Sequence, residues 1–450
     1  MRLFPVRNHD TGSLWLAGAL NAGSSWVMQV GVFVYVLRHA GASTLALVEL
    51  AGTLPALLWM PFAGAFADRR DPRRLALGSM AAQTVAVLAA LVLMPVSLWG
   101  LAACYGLQGA ANALWPPARQ RWLYAAVPEG RRAAANAALG TVGGVMTIVG
   151  AALGGVLSAW SPSAAMAVAA VLQLAAVPAL SLPGRPAPGR AARPATAPRT
   201  TLRADLAGGF TALRGLPLAR SVIWIGIAWG FIGGGYNVLL AAYVTERLRG
   251  GAVMLGCFYV VDGAAVLFGA ALAARVGARR HLGVYALAYV VQGLGWGAMF
   301  LPGLPAAGAV CLAVMRTASG VIIALDTTIL LATVPADLRG RVTSLHMTSY
   351  GAVSRLALAA FGGILAAAGT EPVGVATGAA SVLVGAVWWA LDGRRARRRY
   401  PGGSVTATGP APVRAEDAPA KEAAKEAAKE AAKEAAKEAA GAKAAAERTG

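Results

Sequence analysis

Long apolar segments follow one another along most of the chain, separated by short polar connections. Each segment is mostly apolar and about 20 residues long, enough for one helix to cross a hydrocarbon layer about 30 Å thick. The predicted spans are residues 13–37, 44–67, 75–94, 97–118, 136–159, 163–182, 221–245, 253–274, 281–301, 305–331, 342–368 and 373–391. The pattern predicts an all-α membrane protein with twelve transmembrane helices.

Composition excludes an ordinary water-soluble protein. Apolar residues make up 57% of the 450 residues and charged residues only 13%, whereas an average soluble domain has about 25% charged residues. The net charge of +20 would suggest nucleic-acid binding in a soluble chain. Here the arginines lie in short connections between apolar segments, where they act as topology signals, so no nucleic-acid partner is expected. Lysine occurs only from Lys421 onward, which excludes a Walker A loop in the membrane part.

Arginine-rich connections alternate with connections that carry little charge. The rich set comprises residues 69–74, 119–132, 182–200, 275–280, 339–341 and 394–399. Cytoplasmic loops of membrane proteins carry the excess of basic residues, so both termini are expected in the cytoplasm and the number of spans should be even. We expect the first helix to stay in the membrane, because no cleavage site follows its apolar segment.

Four regions are predicted along the chain. They are an N-terminal six-helix bundle (1–182), a cytoplasmic linker (183–220), a C-terminal six-helix bundle (221–391) and a cytoplasmic tail (392–450). TVPADLRGRV from Thr333 matches AVPEGRRAAA from Ala126 at an offset of 207 residues, and such repeated halves are typical of transporters with a midplane site. Apolar residues within 202–216 form one helical stripe that favours an interfacial helix, with a frayed linker as the alternative. Five KEAA repeats from Lys421 predict a helical spacer.

One connection carries an informative motif, GAFADRRDPRRL, at residues 64–75. It resembles the signature loop between helices 2 and 3 of the major facilitator superfamily. The defining positions are occupied by Gly64, Asp68, Arg69 and Arg73. Asp71 and Pro72 replace the usual glycine and basic residue. The resemblance implies two pseudo-symmetric six-helix bundles and a conformational latch, in which carboxylate and guanidinium groups hold one packing of the bundles and separate in the other. Simple anchoring of an arginine-rich loop is the alternative.

Two further resemblances point to particular branches of this family. GAALGG, with Gly150, Gly154 and Gly155, is similar to the GPxxGG element of antiporters, with Ala151 in place of proline. Close helix packing by small residues is the alternative explanation. The segments LWLAGALNAGSSW, ARQRWLYAAVPEGRRAAANA and VPADLRGRV look like the branch that exports macrolides, other drugs and siderophores, and this resemblance covers about residues 7–391.

Ionisable residues inside spans are costly and are therefore functional candidates. The proton-coupling candidates are Asp262, Asp326, Arg316 and Arg355. A carboxylate near an arginine could alternate between a protonated and an ion-paired form, and Asp262 is the first choice as proton carrier, with Asp326 second. A static Asp–Arg pair that holds helices together is the alternative. Glu49 is interpreted as an interfacial residue.

Polar side chains also follow helical stripes on several spans. The candidate cavity residues are Asn21, Ser25, Gln29, Tyr105, Gln108, Asn112, Trp229, Tyr236 and Asn237. The resemblance implies that helices 1, 4, 7 and 10 line the central path, which would make these residues substrate contacts. Ordinary hydrogen bonding between helices is the alternative.

The leading hypothesis is a secondary exporter of amphipathic small molecules in a bacterial inner membrane, working by alternating access and coupled to protons. An importer or facilitator of the same fold, for example for a siderophore, is the second. A membrane-embedded enzyme is the third, although His9, His39, His281 and His346 are scattered and no nucleophile–base grouping is visible. We expect a monomer whose partners are the substrate, protons and membrane lipid, with no cofactor and no metal.

Overall fold

The protein folds into long α-helices. The computed structural model describes residues 9–128, 131–181, 213, 215–301, 303–335 and 338–399, and this part of the chain contains helices and turns without strands. The predicted interfacial helix at 202–216 falls almost entirely outside the described residues, and the KEAA tail does so completely.

Among the described residues, six α-helices form the N-terminal half and eight the C-terminal half. In the first half they are α1 (His9–Arg69), α2 (Pro72–Leu93), α3 (Leu98–Asn112), α4 (Trp115–Ala126), α5 (Arg132–Trp160) and α6 (Pro162–Ser181). In the second they are α7 (Pro217–Gly233), α8 (Tyr236–Ala242), α9 (Ala252–Ala273), α10 (His281–Met299), α11 (Pro305–Thr333), α12 (Arg339–Ala368), α13 (Thr370–Trp388) and α14 (Arg394–Arg399). Single π turns extend α8 and α13, at Tyr243–Arg247 and Trp389–Gly393.

The long first helix is two helical arms joined at Gly41. This residue has φ +77° and ψ 178°, a conformation that only glycine adopts without strain. Trp26 and Glu49 line the same cavity, although 23 residues of continuous straight helix would separate them by about 35 Å. The arms therefore lie side by side, as the separate predicted spans 13–37 and 44–67 require.

Ten helical stretches among the described residues are long and apolar enough to cross a membrane. The predicted span at 97–118 is divided between α3 and α4, neither of which reaches 18 residues. The sequence Trp115-Pro116-Pro117 explains the division, because proline fits the first turn of a new helix and not the middle of an old one. The multi-pass fold is confirmed, and the count of twelve crossings stays a prediction.

The helices pack mainly within their own halves, and the two halves meet chiefly along two pairs of helices, with a smaller contact between α1 and α8. The second arm of α1 packs on α12, where Gly362 approaches Ser43 and Ala46. Helix α5 packs on α9, where a Cβ at Gly155 would lie 2.8 Å from the Cα of Gly256. The α5–α9 crossing therefore depends on two glycines that allow the backbones to touch.

Candidate functional site

A cavity of about 360 Å³ lies between the two halves. Its N-terminal wall consists of Trp26, Glu49 and Thr53 from the two arms of α1. Its C-terminal wall includes Trp229, Tyr236, Asn237, Asp262, Gln292, Trp296, Arg316, Tyr350, Ser354, Arg355, Thr377 and Ser381. The wall thus combines aromatic rings, hydroxyl and amide groups and four ionisable side chains, as small-molecule sites commonly do.

A break between two helices shapes one side of the cavity. Helix α7 ends at Gly233 and α8 begins at Tyr236, while Gly234 packs tightly against the backbone of Ser354 in α12. The break places Tyr236 and Asn237 in the cavity wall. Broken helices commonly form the substrate sites of transporters, because unwound backbone is tolerated where it lines a cavity.

An ion pair with an aromatic partner forms the electrostatic centre of the C-terminal wall. The Arg316 Nε group donates to Asp262 Oδ1, and the Tyr236 hydroxyl donates to Asp262 Oδ2 at 2.9 Å. The Arg316 guanidinium also lies 4.7 Å from the centre of the Tyr236 ring, which is within cation–π range. Asp262 is buried, with 5% of its surface exposed. Protonation of Asp262 would break the ion pair while leaving Arg316 its aromatic partner.

Glu49 occupies the corresponding place in the N-terminal half. The Tyr105 hydroxyl donates to Glu49 Oε2 at 3.2 Å, and the amide of Asn237 also bonds to the Glu49 side chain. Asp262 and Arg316 follow Glu49 and Tyr105 by 213 and 211 positions, close to the repeat offset of the two halves. The interpretation of Glu49 as interfacial was wrong, since the structure buries it in the cavity wall with 6% exposed.

A second buried cluster lies outside the cavity and contains Asp326. His346 Nε2 lies 2.6 Å from Asp326 Oδ2, and the Tyr285 hydroxyl donates to Asp326 Oδ1 at 2.6 Å. The Tyr289 hydroxyl extends this cluster at 3.4 Å from that of Tyr285. Sequence reasoning missed His346 as a partner, because it treated the four histidines only as scattered residues. The structure brings Asp262 and Arg316 together, and it separates Asp326 from them.

Some residues of the predicted polar stripes line the cavity, and others form hydrogen bonds between helices. Trp229, Tyr236 and Asn237 line the cavity. Asn21 bonds to Asn112 at 3.3 Å, and Gln108 bonds to Ser25 at 3.4 Å. These four residues join helices within the N-terminal half instead of facing the described cavity, and Gln29 also lies outside its wall.

Aromatic residues and amides complete the wall. The Trp229 and Tyr350 rings stack at 5.3 Å, and Tyr236 lies 5.3 Å from Trp296. The Trp296 indole donates to Thr377 at 3.0 Å. The periodicity of polar residues did not identify Trp296 or Tyr350 as cavity residues. The only sequence signal for them was an aromatic residue close to a polar stripe.

Part of the signature loop is described. Asp71 caps α2 by accepting a hydrogen bond from the Arg74 backbone at 2.9 Å, and Pro72 begins that helix. The two departures from the family pattern therefore form a helix start. The Arg73 guanidinium lies 5.6 Å from the Trp122 ring centre. Gly64, Asp68 and Arg69 lie at the end of α1, and their surroundings are outside what the structure describes.

The glycines of α5 have two different neighbours. Gly150 and Gly154 pack against Gly23, Val27 and neighbouring residues of α1, within the N-terminal half. Gly155 instead faces Gly256 in the other half. One short motif thus serves both packing inside a half and the contact between halves.

Comparison with known proteins gives a family and a fold. The family model described as Major Facilitator Superfamily matches residues 14–252, more than half of the chain. No curated protein sequence matches. A nucleoside transporter structure is similar with a TM-score of 0.64 at 15% identity, covering 87% of this chain and 99% of that one. A D-xylose–proton symporter gives 0.62 at 12% identity, with 85% and 95% covered. A bacterial homologue of the iron transporter ferroportin, in an inward-facing state, gives 0.60 at 15% identity, with 84% and 98% covered.

Proposed function

Because the chain belongs to the major facilitator superfamily, we propose that it is a secondary active exporter of amphipathic small molecules, driven by protons that enter the cell in exchange. It works in a bacterial inner membrane as a monomer with both termini in the cytoplasm. Substrate occupies the cavity between the two halves, which opens to one side of the membrane at a time. Export, and not import, is proposed from the resemblance of the sequence to the exporter branch.

The observation that carries this proposal is the Asp262–Arg316 ion pair in the wall of the cavity shared by both halves. A carboxylate that exchanges a cation partner for a proton changes the charge of the cavity without changing its shape. For one proton per substrate, each pH unit across the membrane corresponds to about 1.4 kcal/mol, or roughly a ten-fold gradient of a neutral substrate. The ion pair is therefore suited to join proton movement to substrate movement.

Inverted membrane vesicles test the direction and the coupling. A panel of dyes, macrolides and siderophores is offered to vesicles with an acidic interior, made from cells with and without the protein. An exporter coupled to protons accumulates at least one compound inside the vesicles, and a protonophore abolishes that accumulation. Accumulation in whole cells, without stimulation of vesicle uptake by the pH gradient, would favour the importer.

The proposed latch gives a prediction for the signature loop. Asp68→Asn is expected to slow transport about ten-fold with little loss of folded protein, because it removes the charge that the latch needs and keeps the size of the side chain. Asp71→Asn is the matched control in the same loop, since asparagine caps helices as well as aspartate does. Equal turnover of Asp68→Asn and the parent protein would count against the latch.

The α5–α9 crossing gives a prediction for the contact between halves. Gly155→Leu is expected to lower transport at least ten-fold, because its side chain would occupy the space of Ala252 and Gly256 and overpacking costs about 1–3 kcal/mol. Gly143→Leu on the same helix is the control, since a Cβ there meets nothing within 4 Å. Transport and thermal stability of both variants are measured side by side, and similar losses in the two would contradict the role given to the crossing.

A further inference from the structure

Two charged side chains in the cavity wall have no ionic partner among the described residues. The Arg355 Nε group is buried without a hydrogen-bond acceptor. Glu49 accepts only from the neutral side chains of Tyr105 and Asn237. Asp262 and Arg316, in contrast, neutralise each other. The cavity therefore contains one satisfied ion pair and two separate charges of opposite sign.

These two charges belong to different halves of the protein. Glu49 lies on the second arm of α1 and Arg355 on α12, the helices that pack together where Leu57 approaches Gly351 and Ser43 approaches Gly362. Arg355 acts electrostatically on Glu49, yet the two form no ion pair within 4 Å. Both side chains line the same cavity, and they do not contact each other across it.

Each charge is suited to one kind of ligand group. A guanidinium presents a planar fork of donors that matches a carboxylate or similar oxyanion, and Arg355 lines the cavity while its buried Nε has no acceptor in the protein. A carboxylate that accepts from two neutral donors still has lone pairs for an ammonium group. The stacked Trp229 and Tyr350 rings offer a flat apolar surface in the same wall.

We propose that the substrate of this cavity is a zwitterionic aromatic molecule, whose anionic group binds Arg355 and whose cationic group binds Glu49. The inference rests on the proposed function in one respect, that this cavity is the transport site. A ligand with both charges satisfies both side chains at once and connects the two halves. A ligand with one charge leaves the other protein charge in an apolar surrounding without a partner, which is costly.

Equilibrium binding to the purified protein tests the inference with three matched probes. The zwitterion is 4′-(aminomethyl)biphenyl-4-carboxylic acid, its methyl ester is the cation, and its N-acetyl derivative is the anion. Calorimetric titration in detergent at pH 7 is expected to give the zwitterion a dissociation constant at least ten-fold below those of both analogues. Because no gradient is present, failure of this test and failure of proton-driven export are separate results.

Variants assign each charge to its side chain. Arg355→Gln should remove the advantage of the zwitterion over the cation, and Glu49→Gln its advantage over the anion, with Arg355→Lys recovering part of the loss. Arg249→Gln and Glu371→Gln, outside the cavity, are the matched controls, and thermal unfolding of every variant verifies folding. Binding of either singly charged probe as tightly as the zwitterion, absence of binding by all three, or selectivity that both cavity variants leave unchanged would each overturn the proposal.

Discussion

Asp262→Asn is expected to abolish substrate accumulation driven by a pH gradient, while the protein stays folded and still exchanges substrate down a concentration gradient. Asparagine keeps the shape of the side chain and one acceptor oxygen for Arg316, and its amide NH2 can donate to the Tyr236 hydroxyl oxygen, but it cannot bind or release a proton in the working pH range. The reorientation of the cavity is then no longer linked to a proton. We expect gradient-driven uptake to fall to the level of vesicles without the protein, with exchange reduced only a few-fold.

The test compares two transport modes of the Asp262→Asn variant, which are substrate exchange and accumulation driven by a pH gradient. Proteoliposomes are loaded with unlabelled substrate for exchange, or left empty under an imposed pH gradient for accumulation. Asp392→Asn, which lies outside the cavity, makes the same chemical change elsewhere and should keep both modes. Accumulation by Asp262→Asn at the parent rate would show that the proton carrier is another residue.

Asp326→Ala is expected to lower the free energy of unfolding by about 3–5 kcal/mol, because it leaves a buried His346 and a buried Tyr285 hydroxyl without their acceptor. Tyr285→Phe removes the hydroxyl that bonds to Asp326 and to Tyr289 and should cost only about 1–2 kcal/mol. Thermal unfolding in detergent ranks the two variants. A melting temperature of Asp326→Ala equal to that of Tyr285→Phe would contradict the structural role of the Asp326 hydrogen bonds.

The sequence predicted both Asp262 and Asp326 as proton-coupling candidates, but the structure places Asp326 in this separate buried cluster. Asp326 lies outside the wall of the described cavity, so Asp326→Asn is expected to keep gradient-driven transport at a reduced protein yield. Loss of coupling in that variant, with normal exchange, would transfer the role of proton carrier from Asp262 to Asp326.

The sequence was sufficient for the helices and for the family, because each depends on local pattern. A run of apolar residues has to form a helix in lipid, where backbone groups have no other partners, and the loop at residues 64–75 has its motif in consecutive positions. The pair Pro116-Pro117 also indicated that the span at 97–118 is divided into two helices. The length of the apolar segment alone suggested one continuous span.

The site was less accessible from sequence, because its members meet only through tertiary packing. His346 and Asp326 are 20 residues apart on two helices, and no local pattern shows which faces of those helices meet. Glu49 reaches the cavity because Gly41 reverses the chain before it. Periodicity identified the polar faces of Asn21 and Gln108, but it could not say that those faces would bond to each other.

In the proposed mechanism, the four ionisable side chains around the cavity also determine how transport responds to an electric field. Two carboxylates, Glu49 and Asp262, and two guanidinium groups, Arg316 and Arg355, sum to zero when all are ionised. The carrier that holds a substrate of zero net charge then turns between its two faces without displacing net charge, so membrane voltage does not affect that step. With a proton on Asp262 the same movement carries one positive charge, and each 100 mV contributes about 2.3 kcal/mol to it. Transport should therefore be electrogenic, with all of its voltage dependence in the proton-loaded half of the cycle.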